Sequence, residues 1–320
     1  MLKPTPFHSR TGPLCQHQSW SNWAGFLAAT TYEHDHLHEY NSVRTGSGLF
    51  DVSPLFKYDI RGRDALATVN RVAVRDVSKS SIGQVYYSVW CDDKGMVIDD
   101  GTVSQLGEDH FRMTAAIPTL AWLQDNAIGL DVEIEDTSEQ FAGVALQGPT
   151  SRDMLQSLTD LDLGGLRFFR CTDGKVAGAP ALISRTGYTG DLGYEVFVGP
   201  DDAESLWDAM MEAGGKFQML PAGLATLDLV RIDGGLLGID ADFTSALQTM
   251  FPVQKLSVYD LGLGWMINPS KGFFVGRDAL RREKANGSRY DTIGLELDVT
   301  VMEKAYAEYG MTLQDRKSVV

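Results

Sequence analysis

Residues 84–115 hold three short runs rich in β-branched and aromatic side chains, 84–91, 96–103 and 111–115, broken only by turn-forming residues. The first break is Asp92, Asp93, Lys94 and Gly95, and the second is Gly107, Glu108 and Asp109. Polar residues ending in glycine suit a four-residue hairpin connection, so the three runs read as an antiparallel meander. Any fold for this chain must accommodate that sheet.

The neighbourhood of the meander reads as one unit. Phe56, Tyr58 and Ile60 alternate with Lys57, Asp59 and Arg61, which predicts a strand with one buried face. Gly62 ends it, and residues 64–72 place Ala65, Leu66 and Val69 on one side of a helix. Pro118 opens a second helix over 119–126, with Leu120 and Leu123 spaced to cover the sheet.

A chain of 320 residues exceeds one ordinary core, so two or three domains are expected. Upstream, 33–44 reads as helix, while Trp20, Trp23 and Phe26 follow no helical spacing. Downstream, alternation over 132–147 ends at Gly148 and Pro149, and a helix is expected over 151–155. A strand over 180–184 runs into the turn RTGYTGDLG at 185–193, and a second strand follows at 194–198. Asp201 or Asp202 caps a helix whose Ala203, Leu206, Trp207, Met210 and Met211 share a side, and Pro221 starts another over 222–234. Past Thr249 the pattern weakens, with a strand expected over 292–299.

The balance of 43 acidic against 28 basic residues gives a net charge of −15. That field disfavours nucleic acid and anionic membranes as partners, while leaving room for a local basic pocket. No run approaches the roughly 20 apolar residues of a membrane span, and no signal-peptide core precedes Pro4, Pro6 and His8, so the cytoplasm is the expected location. Cys15, Cys91 and Cys171 are too widely spaced for a zinc site and read as isolated thiols. Neither a Gly-x-Gly-x-x-Gly fingerprint after a strand nor a phosphate-binding GxxxxGK[ST] loop occurs, which leaves a nucleotide enzyme without support.

Three groups are candidates for chemistry. Asp99 and Asp100 end the strand VIDD, and strand parity sends them to opposite faces, one toward a cavity and the other toward solvent or a turn. Glu195 shares a strand face with Phe197 and opposes Tyr194 and Val196, behind a turn whose glycines around Tyr188 allow close backbone approach to a flat ligand or a tight hairpin. His34, His36 and His38 suggest a metal at first sight, but only His34 and His38 could share a helix side and no zinc-protease glutamate stands between them.

Six stretches together resemble the aminomethyltransferase family, the T-protein of the glycine cleavage system and its tetrahydrofolate-dependent demethylase relatives. They are VRTGSGLFDVS at 43–53, YYSVWCDDKGMVIDDGTV at 86–103, LQGPTS at 146–151, SRTGYTGDLGYEVFV at 184–198, LPAGLATLDLVRIDGG at 220–235 and LGLGWMINPSKGFFVGRDAL at 261–280. The resemblance implies an α+β, three-domain ring-like fold. Residues 1–52 and 138–245 would form a discontinuous folate-binding domain, 53–137 an inserted α+β domain, and 246–320 a C-terminal β-rich domain with a β-barrel that is shortened or incomplete. It implies tetrahydrofolate as cofactor and Asp100 as the catalytic group. Glu195 would bind the pterin's amino and ring N–H groups, since a carboxylate offers acceptors for two parallel donors. Tyr87, Thr102, Tyr188 and Trp265 complete the implied folate site.

Departures from the family pattern bear on the donor. Leu227 stands where T-proteins carry arginine, and Arg231 one turn on is the candidate replacement. Thr114 replaces an asparagine and Leu55 a methionine, so these two with Trp23 are the expected donor-binding residues. The substitutions favour demethylation of a small N-, O- or S-methylated compound. Aminomethyl transfer, with a lipoylated carrier protein as partner, is the alternative. A third reading is a non-catalytic folate-binding accessory protein, whose branch carries cysteine in a KGCYxGQ-like motif; KGFFVGR has Phe273 there.

Overall fold

The computed structural model describes residues 2–294 and 298–311. The chain begins with a helical turn, α1 (His8–Thr11), and a hairpin of β1 (Trp20–Trp23) and β2 (Phe26–Ala29). The aromatic stretch that fits no helix is therefore a ribbon. Helix α2 (His36–Thr45) follows, its first turn capped by the Asp35 carboxylate accepting from the Leu37 N–H. Strand β3 (Ser47–Asp51) leads to β4 (Phe56–Arg61) and α3 (Ala65–Val72), and the meander is β5 (Val85–Cys91), β6 (Val97–Gly107) and β7 (His110–Ala115). Helix α4 (Leu120–Asn126) and β8 (Glu133–Asp136) close that stretch. The chain continues through β9 (Ala142–Gln147), α5 (Ser151–Gln156), β10 (Cys171–Val176), β11 (Ala179–Ser184), β12 (Gly193–Val198), α6 (Ala203–Gly214), β13 (Met219–Pro221), α7 (Leu224–Asp233), α8 (Arg277–Asn286) and α9 (Val299–Glu308).

Two open sheets organise the molecule. The larger has six strands in the order β10-β11-β12-β9-β3-β13, antiparallel except for β13 beside β3. One face packs Val144, Leu146, Tyr194 and Val196 against Leu155 of α5 and Trp207 of α6. The other packs Phe50 and Ala145 against Val43 of α2 and Val230 of α7. Covered on both sides, β9 is buried at every position, which accounts for its unbroken apolar run. The second sheet has five strands in the order β5-β6-β7-β4-β8. Helices α3 and α4 cover one face through Val69, Val72 and Leu123.

Strand β4 departs from the expectation of a single buried face. Lys57 and Asp59 are 0% and 1% exposed. Asp59 sits in a bidentate grip from Arg112, 2.6 Å from Nε to Oδ1 and 3.0 Å from Nη2 to Oδ2, with His110 Nε2 3.0 Å from Oδ2. Lys57 Nζ donates to the carbonyls of Ser53 at 2.9 Å and Leu55 at 2.7 Å. Paired and hydrogen-bonded charges can occupy an interior face that alternation assigns to water.

Among the described residues the expected C-terminal barrel is absent: no sheet closes, and β13 is the last strand. Instead, Phe243, Val258, Leu261, Met266, Phe274 and Leu280 spread over the second face of the five-stranded sheet, against Val89, Cys91 and Val97. The apolar positions lack a period of two, and the segment forms only isolated β-bridges among the described residues, such as Met96 with Ser257 and Arg75 with Ile267, rather than a strand ladder. It forms an apron over the sheet. Of the strand expected over 292–299, positions 295–297 lie outside the described residues. Asp298 is the N-cap of α9, its carboxylate accepting from the Thr300 and Val301 N–H groups, and Val299 is already helical.

Candidate functional site

Strand register places the central residues. Tyr87 on β5 pairs with Thr102 on β6, Thr102 with Thr114 on β7, and Thr114 with Lys57 on β4. Cross-strand partners share a face, so the four side chains form a row across the sheet. Asp100, two residues before Thr102, stands on that same face. The Tyr87 hydroxyl donates to Asp100 Oδ2 at 2.8 Å, while Oδ1 has no partner among the described residues. A side chain at position 101 would bring a Cβ within 1.9 Å of the Thr114 carbonyl oxygen, so glycine there lets β6 and β7 meet closely beside Asp100.

Parity separates the two aspartates as expected, and the turn takes Asp99. Asp99 is 0% exposed and accepts from the N–H groups of Ala116 at 2.9 Å, Ile117 at 3.0 Å and Asp100 at 2.8 Å. Burial and the charge of Asp100 raise its pKa, against those three donors. Burial likewise pushes Asp100 up to about 6, opposed by the Tyr87 hydroxyl. Tyr87 and Tyr188 are both raised, first by burial and next by the negative charge of Asp100, which places the two phenols in its electrostatic reach.

Glu195 on β12 pairs in register with Ala145 and Ser184, on the face away from Tyr194 and Val196. The Thr186 hydroxyl donates to Glu195 Oε2, and Oε1 has no partner among the described residues. Burial raises the Glu195 pKa while Thr186 and the Lys57 ammonium oppose it. Lys57 is lowered to about 8 by burial, and Glu195 is among the charges acting on it. Lys57, at the end of the sheet row, therefore lies within electrostatic reach of Glu195 without pairing with it among the described residues, a relation that the sequence alternation conceals. Thr186 also escapes the sequence reading, although it lies inside the RTGYTG turn.

The glycines of that turn serve internal packing. A Cβ at Gly187 would lie 1.9 Å from Gln147 Oε1, and one at Gly190, whose φ is +75°, would lie 2.9 Å from the Gly234 Cα. Tyr188 is held by its hydroxyl donating to the Leu237 carbonyl. Trp23 and Leu55 come together with Leu227 against the cluster of Phe50, Val52 and Ala145. Arg231 is 4% exposed and is occupied by Asp228, 2.6 Å from Nη2, by Asp242 and by the Leu236 carbonyl. Trp265 is 64% exposed, with the Arg75 guanidinium 5.6 Å from its ring centroid.

The histidines do not share a helix side. His34 precedes α2 and contacts His17, Nδ1 to Nε2 at 2.7 Å, whereas His38 pairs with Glu33. Cys15, Cys91 and Cys171 are free and buried. Among the described residues, no helix is long and apolar enough to cross a membrane.

Comparison with known proteins gives consistent results. The family model described as the GCVT N-terminal domain matches residues 9–271. An aminomethyltransferase of Halothermothrix orenii is 36% identical over 306 residues, covering 92% of this chain and 80% of that protein. An aminomethyltransferase of Geobacillus kaustophilus is 37% identical over 265 residues, covering 81% of this chain and 70% of that one. The crystal structure of the glycine cleavage system aminomethyltransferase T from Bartonella henselae superposes with a TM-score of 0.79 at 24% identity, covering 90% of this chain and 76% of that chain, a likeness of fold.

Proposed function

The chain belongs to the GCVT aminomethyltransferase family, and from that membership we propose that it moves a one-carbon unit from an aminomethyl donor to tetrahydrofolate, with Asp100 as the catalytic carboxylate. The reading rests on the two carboxylates, Asp100 and Glu195, each held by one hydroxyl and each retaining an oxygen without a side-chain partner among the described residues. Such groups fit a ligand that presents N–H donors at one edge and develops positive charge at another. Leu227, Thr114 and Leu55 alone give first place to demethylation; relatives at 36% and 37% identity that carry the name aminomethyltransferase reverse that order.

Tetrahydrofolate supplies the nitrogen that takes up the carbon. Glu195 binds the amino and ring N–H edge of the pterin, and Thr186 fixes the carboxylate's rotamer. Asp100, ionised above about pH 6, holds the donor's amine and stabilises positive charge at the transferring carbon. Tyr87 orients Asp100, and Thr102 and Tyr188 wall the pterin. Thr114 lies beside Thr102 on the donor side, while Trp23 and Leu55 form an apolar wall there. The donor is carried by a lipoylated protein in this reading.

Purified protein supplied with tetrahydrofolate and an aminomethylated dihydrolipoyl carrier should yield methylene-tetrahydrofolate by mass spectrometry, as the carbon's bonds to sulfur and to the amine break and release the dihydrolipoyl carrier and ammonia. Methyl-tetrahydrofolate formed from free methylated amines, with no product from the carrier, would replace aminomethyl transfer by demethylation. Folate binding without product from any donor would sink both.

A further inference from the structure

The proposed reaction leaves Lys57 without a task. This lysine is 0% exposed and ends the row of side chains that begins at Tyr87, beside Asp100. Beyond it stands β12, where the Phe197 ring centroid is 5.8 Å from Lys57 Nζ. Glu195, two residues before Phe197 on that strand, shares its face. Across the site the order is therefore Asp100, Lys57, Glu195. The ammonium carries three N–H donors, of which the Ser53 carbonyl accepts one at 2.9 Å and the Leu55 carbonyl another at 2.7 Å. Both carbonyls lie on the crossover from β3 to β4, so backbone anchors the charge where the two sheets meet. The third N–H has no acceptor among the described residues, and a buried charge with a donor to spare is costly until a ligand completes it.

We propose that Lys57 donates this third N–H to the 4-oxo oxygen of the pterin, so that the enzyme selects 4-oxo over 4-amino pterins. This assignment rests on the functional reading above and adds a contact to it. Along one edge of a reduced pterin come N5, the 4-oxo oxygen, and then the N3–H and 2-amino donors. The chain offers the complement in the same order: Asp100 beside the nitrogen that takes up the carbon, an N–H donor, and the Glu195 carboxylate. Without Lys57 the oxygen would face two carboxylates, acceptors meeting an acceptor. Burial lowers Lys57 to about 8 and Arg112 of β7 adds to the lowering, while Asp51 of β3, Asp136 of β8 and Glu195 of β12 oppose it. On its own strand, Asp59 is taken up by Arg112 and His110. The ammonium is thus the form present at neutral pH. A 4-amino group, itself a donor, meets it with the wrong polarity.

The test measures binding of tetrahydrofolate and its 4-amino counterpart to the unaltered chain, Lys57→Met and Lys57→Gln by isothermal calorimetry. The exchange turns an acceptor into a donor and also removes the N3 hydrogen that Glu195 uses. The unaltered chain should therefore favour the 4-oxo compound by roughly 10²-fold or more. In Lys57→Met that ratio should shrink roughly tenfold, and Lys57→Gln, whose amide keeps an N–H, should recover part of it. A role confined to packing would weaken both ligands alike, so a ratio unchanged in Lys57→Met overturns the assignment alone. If neither variant folds, the unaltered chain decides. At about pH 8.5, just above the value for the free lysine, binding of tetrahydrofolate should take up protons, because donation to the oxygen favours the ammonium. Calorimetry in buffers of different ionisation heat reads that uptake, and its absence likewise overturns the assignment. No binding of either compound by the unaltered chain overturns the functional reading and this assignment together.

Discussion

At the scale of single residues, Asp100 carries opposed demands. Its folded-state pKa of about 6 lies above the ordinary 3.8, so the folded chain holds that proton more tightly than the unfolded one. Stability therefore falls as pH rises from about 4 to about 6, and the deficit stays constant above that. Asp100→Asn should lower turnover by about 10²-fold or more, while raising stability above pH 7 by about 1–2 kcal/mol. The stability gain should vanish below about pH 4. Urea unfolding at the two pH values together with steady-state rates tests both halves, and unchanged turnover would remove Asp100 from its role. Glu195→Ala should act chiefly on tetrahydrofolate affinity, which calorimetry reads directly. Parity on VIDD makes the separation of Asp99 from Asp100 legible in the sequence. The anchoring of Asp99 is not, because its donors at Ala116 and Ile117 belong to a bend that meets it only after β6 and β7 pair.

Among the elements, β4 shows where pattern reading stops. Its apolar alternation locates the strand correctly, but its order between β7 and β8 and the burial of its charged side follow from tertiary packing. Asp59→Ala would leave Arg112, which is 7% exposed, without its carboxylate and should destabilise the chain by about 3–5 kcal/mol. A smaller loss, below about 1 kcal/mol by urea unfolding, would mean that water reaches Arg112. The meander and helices α3, α4, α6 and α7 were legible because their periodicity is strong and their turns are marked by Gly, Pro or Asp. The aromatic ribbon β1–β2 was not, since its four-residue strands are too short for alternation to register.

For the whole molecule, the six stretches of family resemblance led to the right family and to an α+β fold, and wrongly to a closing barrel. The apron is tied down by Lys271, whose Nζ donates to the carbonyls of Ala73 at 2.6 Å and Arg75 at 2.9 Å. Such a long-range tie, between positions with no shared local pattern, is invisible to periodicity. Lys271→Met should leave those carbonyls unpaired and destabilise the chain by about 1–3 kcal/mol, with limited proteolysis cutting first within 243–280. Cleavage elsewhere first would deny Lys271 that function. The site itself is divided between supports: Asp100 stands on a sheet whose bend Asp99 fastens, whereas Trp23, Leu55 and Leu227 belong to the apolar cluster of the six-stranded sheet. In the proposed reading, mutational drift in that cluster changes which donor is accepted while the carboxylate stays in register, so a lineage on this scaffold exchanges its nutrient source without rebuilding its chemistry.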